Sequence, residues 1–476
     1  MKKKMKHVLF VLAAVMLPCM VVSCGEDPVV PETPPGIENP DDPQTPSDIE
    51  PANTVWAPEK QKMYLEDVAL ELNAKMPVED FRHYIELANY VYNQHEDDDW
   101  DNVGDWAEDI LDGLMIDLHH TEREEESYNS YYYSYVQTNI YSCYKSTILA
   151  SNFLGRWESR NGKWTYSPAD DLQFTFKNKS QQDCVLRLKT SGNVAKVHLF
   201  DLDDWQDDDP TKEINGTYYY TDYYDRTAYT IGVPERIEVT LTEGSTELVS
   251  QTIVTDLSSI TSEEFDLSRS TLTFSSTTKF NNGYTINVEN IKYNATGTSG
   301  RTTLVKNNET LLSATFSSDL KNVPKKTLTD WYNMDDDEIE KVLENTTNSN
   351  GAFSLNILGK IQVKGILNDV HKLVDALDEA YDNDEDEKAF KSALDKANSC
   401  FDVTIYYNGG IAKQAYMTLT PFFEDSWYSS WWDAECTINF PDGTSYSFDE
   451  YFNEDDFKDL IDAIEDQGDD AEDMWD

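Results

Sequence analysis

Residues 401–420 read FDVTIYYNGGIAKQAYMTLT. Val403, Ile405 and Tyr407 alternate with their neighbours, Asn408-Gly409-Gly410 interrupts them, and Ala415, Met417 and Leu419 resume the alternation. A period of two marks a strand with one buried face, and Asn and Gly accept the left-handed backbone of a tight turn. The stretch is therefore expected as strand, turn, strand. The same unit recurs. Trp157 leads through Asn161-Gly162 to Trp164 and Tyr166. Ile237, Val239 and Leu241 reach Glu243-Gly244-Ser245, and a strand returns near Ile253. Leu272 and Phe274 precede Asn281-Asn282-Gly283, then Tyr284, Ile286 and Val288. Leu304 leads through Asn307-Asn308 to Leu312, Ala314 and Phe316, and Ile438 and Phe440 through Asp442-Gly443 to Tyr446 and Phe448. Sequential hairpins predict an antiparallel meander with one wetted face.

Helical spacing appears outside these hairpins. Leu65, Val68, Ala69, Leu72 and Met76 share one helix face, and Pro77 ends it. Phe81, Tyr84, Ile85, Ala88 and Val91 form a second stripe, and Ile110, Leu111, Leu114 and Leu118 a third, from about Trp106. A fourth helix is expected over Tyr131–Leu149, through Val136, Ile140, Tyr144 and Ile148. Ile366, Val370, Leu373, Val374, Leu377 and Tyr381 form a further stripe, followed by Phe390, Ala393, Leu394 and Ala397. Asn453 should cap a closing helix that buries Phe457, Leu460, Ile461 and Ile464, with a frayed acidic tail from Asp466. The expected class is α+β. Residues 58–152 form an N-terminal helical region and 153–365 an antiparallel β region. Residues 366–400 are a helical insertion, and 401–476 hold β hairpins, a C-terminal helix and the acidic tail.

The chain of 476 residues carries 90 acidic against 38 basic side chains, a formal charge of −52. Such a field repels nucleic acid and anionic headgroups and attracts cations. Cys143, Cys184, Cys400 and Cys436 are widely spaced, with no Cys-x-x-Cys pair. They stand either as buried thiols or as disulfides whose pairing the sequence does not choose.

The N-terminus indicates an address. Lys2, Lys3, Lys4 and Lys6 precede an apolar run from Val8 to Val22, then Ser23 and Cys24. The run is about 15 residues, short of the roughly 20 that span a bilayer. Residues 1–23 have the parts of a signal peptide. Val21-Val22-Ser23-Cys24 resembles the lipobox of bacterial lipoproteins, with Val21 where Leu is usual. The resemblance implies that Cys24 becomes the first residue, carries palmitate-type acyl chains and anchors the protein in a membrane. Residues 24–57 read as a tether, with nine prolines from Pro28 to Pro58 among acidic residues. Gly25-Glu26-Asp27 resembles the surface-export signal of lipoproteins from Bacteroidota-type bacteria, implying the outer membrane, on its periplasmic or cell-surface face. Leu358–Gly365 followed by a helix, and later Phe440–Tyr446, resemble uncharacterised lipoproteins of the same bacteria, which implies no activity.

The motifs of enzymes are missing. There is no Gly-x-Ser-x-Gly elbow, His-Glu-x-x-His helix or phosphate-cradling glycine loop. His119-His120 suits a helix C-terminus. The chain is therefore expected to be non-catalytic and to bind a ligand or partner, and no nucleic acid. A carrier of lipid or other amphiphile in a half-barrel and a glycan-active hydrolase are the alternatives. No cofactor is required by any motif, and calcium is the one ion suggested. Asp97, Asp99, Asp101, Asp105 and Glu108 take the ligand offsets of an EF-hand, although Asn102 holds the turn position. The same residues otherwise form a solvated acidic linker. Tyrosines crowd at Tyr128–Tyr135 and Tyr218–Tyr224. Trp427, Tyr428, Trp431 and Trp432 are expected in a loop between strands, as the preferred ligand-binding surface.

Overall fold

The computed structural model describes residues 50–94, 121–131, 135–160, 163–205, 209–214, 217–261, 266, 268–320, 348–425, 430–453 and 456–475. They fall in two compact units. The first draws on 1–89, 273–324 and 340–476, the second on 90–272 and 325–339. Most of the described residues lie in β-sheet.

The first unit is the expected meander. Its strands are β10 (Leu272–Phe280), β11 (Tyr284–Asn294), β12 (Gly297–Lys306), β13 (Glu309–Leu320), β14 (Asn348–Ile357) and β15 (Ile361–Leu367). They continue with β16 (Phe401–Tyr407), β17 (Ala415–Asp425), β18 (Ser430–Asn439) and β19 (Ser445–Ser447). From β11 to β19 each strand pairs antiparallel with the next. The register explains which face is greasy. Leu304, Leu312, Ile357, Ile361 and Tyr407 form one row across five strands, while Thr303, Ser313, Asn356, Gln362 and Tyr406 form the adjacent row. Successive residues point to opposite faces, so the first row is an apolar face and the second a polar one. Farther along the apolar face, Gly300, Phe316, Phe353 and Gly365 align. A Cβ on Gly365 would fall 2.0 Å from Cε1 of Phe353, and one on Gly300 2.7 Å from Cε1 of Phe316. The rings therefore lie over the glycines, which cover backbone that a glycine leaves bare.

The turns follow local chemistry. Asn307 and Asn308 take φ of 50° and 70°, and Gly244, Gly283 and Gly443 are also left-handed. Leu358 joins them at φ 52°, a costly conformation for leucine, and it is buried in the core. Asn408 and Gly409 are left-handed, at 53° and 63°. Gly410 is a glycine for another reason: a Cβ there would lie 2.2–2.6 Å from backbone atoms of Ala52.

Helix α1 (Pro58–Lys75) lies on the apolar face, with Pro58 in its first turn. Val68 is buried, and Leu65, Leu72 and Met76 pack with Leu358, Ile361, Ile405, Tyr407 and Ile438. A 3-10 turn (Val78–Phe81) leads into α2 (Arg82–Gln94). Phe81 rests on Phe280 and Tyr284, with ring centroids 6.2 and 4.9 Å away. The Lys306 ammonium donates to Asp80 Oδ2 (2.6 Å) and to the Lys75 carbonyl (2.7 Å), and Tyr284 OH lies 2.8 Å from the same carboxylate. Burial alone would raise the Asp80 carboxyl, but these two donors hold it below the usual range.

Residues 52–57, expected as the end of the tether, pack on the first unit's core. Ala52 is buried, and Trp56 stacks on Tyr407 at 5.3 Å. Two fully buried glutamines hold this strap. Gln414 Oε1 accepts from Trp56 N (2.9 Å), while its Nε2 donates to the carbonyls of Thr54 (3.0 Å) and Ala52 (3.4 Å). Gln61 Nε2 donates to the carbonyls of Trp56 (2.9 Å) and Gln414 (3.0 Å), and its Oε1 accepts from Tyr407 OH (3.2 Å). Desolvation raises the Tyr407 hydroxyl well above its ordinary value.

Helices α3 (Val370–Tyr381) and α4 (Glu387–Asn398) interrupt the meander. Asp369 and Asp386 cap them by accepting from Lys372 N and from Lys388 N and Ala389 N. Ile366 was expected to open this insertion, but it belongs to β15 and is 47% exposed. The pair packs Ala380, Phe390, Ala393 and Leu394 against Leu419, Trp432 and Ala434. After α5 (Phe448–Tyr451), Asn453 Oδ1 accepts from Asp456 N as a cap should, and α6 runs Lys458–Trp475. The acidic tail is thus helical to Trp475, with Met474 buried. Gln467 ties α6 to the corner after α1, accepting from Val78 N at 2.7 Å and donating to Asn73 O at 3.3 Å.

The second unit departs from the expectation most. Residues 121–131 and 135–148 are strands β1 (Thr121–Tyr131) and β2 (Tyr135–Ile148), not a continuation of the helical region. They are followed by β3 (Gly155–Arg160), β4 (Lys163–Ser167), β5 (Leu172–Lys177), β6 (Asp183–Trp205), β7 (Asp209–Ile214), β8 (Thr217–Glu243) and β9 (Thr246–Asp256). The sheet is mixed, because β2 pairs parallel with β8 and β3 parallel with β5. Strand β8 is the axis. Both β6 and β2 pair with its residues Tyr224–Ile231, so they occupy its two edges. Beyond β6 come β5, β3 and β4; beyond β2 comes β1. Among the described residues no helix is long and apolar enough to cross a membrane.

Candidate functional site

Strands β1, β2 and β8 bring together the two tyrosine-rich segments, which lie about 90 residues apart in sequence. Tyrosine and β-branched residues dominate β2 and β8, and such side chains favour a pleated surface, whereas β1 is rich in glutamate and ends in Tyr131. In β1–β2 Tyr131 pairs with Val136, and in β2–β8 Val136 pairs with Tyr219. Paired residues share a face, so Tyr131, Val136 and Tyr219 form one row across three strands. Tyr131 is 77% exposed and Tyr219 39%. Lys212 of β7 extends the row beyond Tyr219. Two residues along, the next row on this face is Asn129, Thr138 and Thr221. Thr138 Oγ1 donates to Asn129 Oδ1 at 2.7 Å. Ser127, Ile140 and Tyr223 form the third row. The arrangement is a ring row beside a hydroxyl-and-amide row, with no acid or base at its centre.

The opposite face of the same strands holds them in register. Tyr135 meets Tyr220 edge to face at 5.4 Å, and Tyr141 stacks on Tyr224 at 4.9 Å. The Arg226 guanidinium sits 4.2 Å from the Tyr141 ring centroid and 3.7 Å from Glu126 Oε2. Gln137 Nε2 donates to Asp222 Oδ2 and, at 3.2 Å, to Asn139 Oδ1. Asn139 and Asp222 are buried. Each contact joins β2 to β8 or fixes a neighbour of that pair, so the exposed row stands on a braced floor.

Of the tryptophan cluster, Trp431 and Trp432 lie in a strand rather than in the expected loop. Trp427 and Tyr428 lie outside the described residues. Trp431 and Trp432 belong to β18, and adjacent strand residues face opposite sides. Trp432 lies beneath the α3–α4 pair: its ring meets Phe423 at 5.2 Å, Lys391 Nζ stands 5.1 Å from the ring, and the Trp432 backbone N–H donates to the Asp384 carbonyl at 2.7 Å. Trp431 pairs with Glu424 and is half-buried. The calcium loop, Asp97, Asp99, Asp101, Asp105 and Glu108, and the expected helix over Trp106–Leu118 also lie outside the described residues, as does Cys24. Among the described residues no three acidic, histidine or cysteine side chains converge as metal ligands.

Other chemistry-bearing groups serve the fold. Cys143, Cys184, Cys400 and Cys436 are free thiols, the first three buried. Burial pushes the Cys184 thiol up to about 11, with Glu243 and Asp183 adding to it, which leaves little reactive thiolate. Burial, then Glu450 and Asp449, raises the Glu435 carboxyl. Glu450 itself closes the capping box of α5 with Ser447. Comparison with protein-family profiles, with curated proteins and with solved structures found no match for this chain.

The sequence signalled both tyrosine segments but not their union. Only the parallel pairing of β2 with β8 creates the row, and no local pattern announces which distant strand will be the neighbour.

Proposed function

We propose that this chain is a non-catalytic, lipid-anchored cell-envelope protein of the α+β class. It binds a ligand at the outer membrane through the tyrosine row of β1, β2 and β8. The observation that carries the binding reading is the register: Tyr131, Val136 and Tyr219 share one exposed row, backed by a face whose polar groups are paired. Exposed aromatic planes are costly to leave in water and are the side chains most often used as binding anchors. The anchoring part rests on Cys24 and its lipobox-like context.

The Cys24→Ala chain supplies a soluble form for the test. It is expected to sediment with outer-membrane envelope fragments, and Tyr131→Ala/Tyr219→Ala in that background is expected to bind them at least tenfold more weakly, as loss of two anchors worth about 1 kcal/mol or more each implies. Equal sedimentation of the two proteins would refute the tyrosine row as the binding surface.

A further inference from the structure

We infer that the ligand of the Tyr131–Val136–Tyr219 row is a neutral polysaccharide chain; this rests on the binding proposed for that row. Three observations narrow the chemistry. The first is spacing. Neighbouring strands lie about 4.8 Å apart, so Tyr131 and Tyr219, two strands apart, are separated by roughly 10 Å at the backbone. Two rings at that distance address two successive units of an extended ligand rather than one small ring.

The second is the alternation of rows. Ring row and polar row are two residues apart along each strand, roughly 7 Å. The Thr138–Asn129 hydrogen bond uses the proton of one and the carbonyl of the other. It leaves the Asn129 amide hydrogens as donors and the Thr138 oxygen as an acceptor, with the Thr221 hydroxyl beside them. A ligand that fits has an apolar flat side and a rim of groups that both donate and accept. A pyranose chain has that pattern: C–H faces stack on tyrosine, and ring hydroxyls meet the amide and hydroxyls. An acyl chain would leave the polar row unpaired.

The third is charge. The three rows on β1, β2 and β8 contain no lysine or arginine, and the next residue of β8 on this face is Asp225. Lys212 is the one base paired beside them on β7. On a chain of net charge −52, a polyanion is repelled here, and nothing in the rows pairs with its charges. A neutral polyol meets no such penalty.

Native affinity electrophoresis suits a chain this acidic, and Tyr→Ala changes leave its charge unchanged. The Cys24→Ala chain is run through gels containing a soluble cellulose ether, an α-mannan, starch or a fructan, with polygalacturonate as the anionic comparison. At least one neutral polysaccharide is expected to retard it. Tyr131→Ala/Tyr219→Ala should weaken that retardation at least tenfold. Tyr131→Phe/Tyr219→Phe, which keeps the rings, should stay within about threefold, and Tyr416→Ala in the first unit should match the parent. Retardation by polygalacturonate alone, or by none of the neutral polymers, overturns the inference. Loss of envelope binding in the double alanine variant, with no neutral polymer retarding the parent, keeps the row as a binding surface and rejects the glycan. Equal retardation of parent and double alanine variant rejects the row itself.

Discussion

Replacing Gln414 by alanine tests the strap that joins residues 52–56 to the first unit. The side chain is fully buried and makes three hydrogen bonds to backbone, one accepted from Trp56 and two donated to Thr54 and Ala52. The contact to Ala52, at 3.4 Å, is long and counts for little. Truncation orphans the Trp56 N–H, whereas the carbonyl of the exposed Thr54 can turn to water. At about 1–3 kcal/mol for the one unsatisfied group, the expected loss is about 2–3 kcal/mol, including lost packing. Gln61→Ala should cost a similar amount, because it orphans the Trp56 and Gln414 carbonyls and the Tyr407 hydroxyl. The two glutamines share one network, so the double variant should lose less than the sum. Urea unfolding supplies the stabilities, and amide exchange at 52–56 reports the strap directly. A Gln414→Ala loss below about 1 kcal/mol, or strict additivity with Gln61→Ala, would refute the view that these side chains hold the strap.

Three further outcomes are expected. Gly409→Ala should cost about 1 kcal/mol because the residue is left-handed, whereas Gly410→Ala should cost more and expose residues 52–56 to protease, because its Cβ meets the Ala52 backbone; equal effects in unfolding and proteolysis would contradict this division. Asp80 has a depressed carboxyl, so its contribution is present above the ordinary aspartate range and is lost as pH falls through the lower folded-state value; the stability gap between wild type and Asp80→Asn should close in acid, and a gap independent of pH from 7 to 2 would count against the Lys306 contact. Cys24→Ala should take up no labelled fatty acid during expression, and label entering that variant would sink the lipid anchor.

The parts of the fold that were legible depend on local chemistry. Asn307-Asn308 must turn because two successive residues are left-handed, and a reader sees asparagines there without knowing the partner strand. The apolar spacing of strand β2 fits a helix as well as a strand. Val136, Ile140, Tyr144 and Ile148 are spaced by four, which lies on one side of a helix and equally on one side of a strand. The β-branched and aromatic content, and Asn139 in the middle of the stretch, favour the strand. Trp431 and Trp432 looked like one cluster because adjacency in sequence hides the fact that a strand sends neighbours to opposite faces. The acidic tail looked frayed by composition, yet Met474 and the Gln467 contacts hold α6 to the body. The tyrosine row was beyond reach, since its register is set by a pairing between segments about 90 residues apart.

The strap also sets a clock on synthesis. Trp56 and Gln414 are 358 residues apart, so the strap waits for a strand near the end of the meander. At about 5–20 residues per second of elongation, that wait lasts roughly 20–70 s. The described strands of the second unit span only 121–256 and can pair while the first unit is still open. For that interval the Trp56 N–H lacks its Gln414 acceptor, while α1 can already pack on Leu304, Leu312 and Ile361. Once Gln414 arrives, closure buries the strap against a side chain made 358 residues after Trp56.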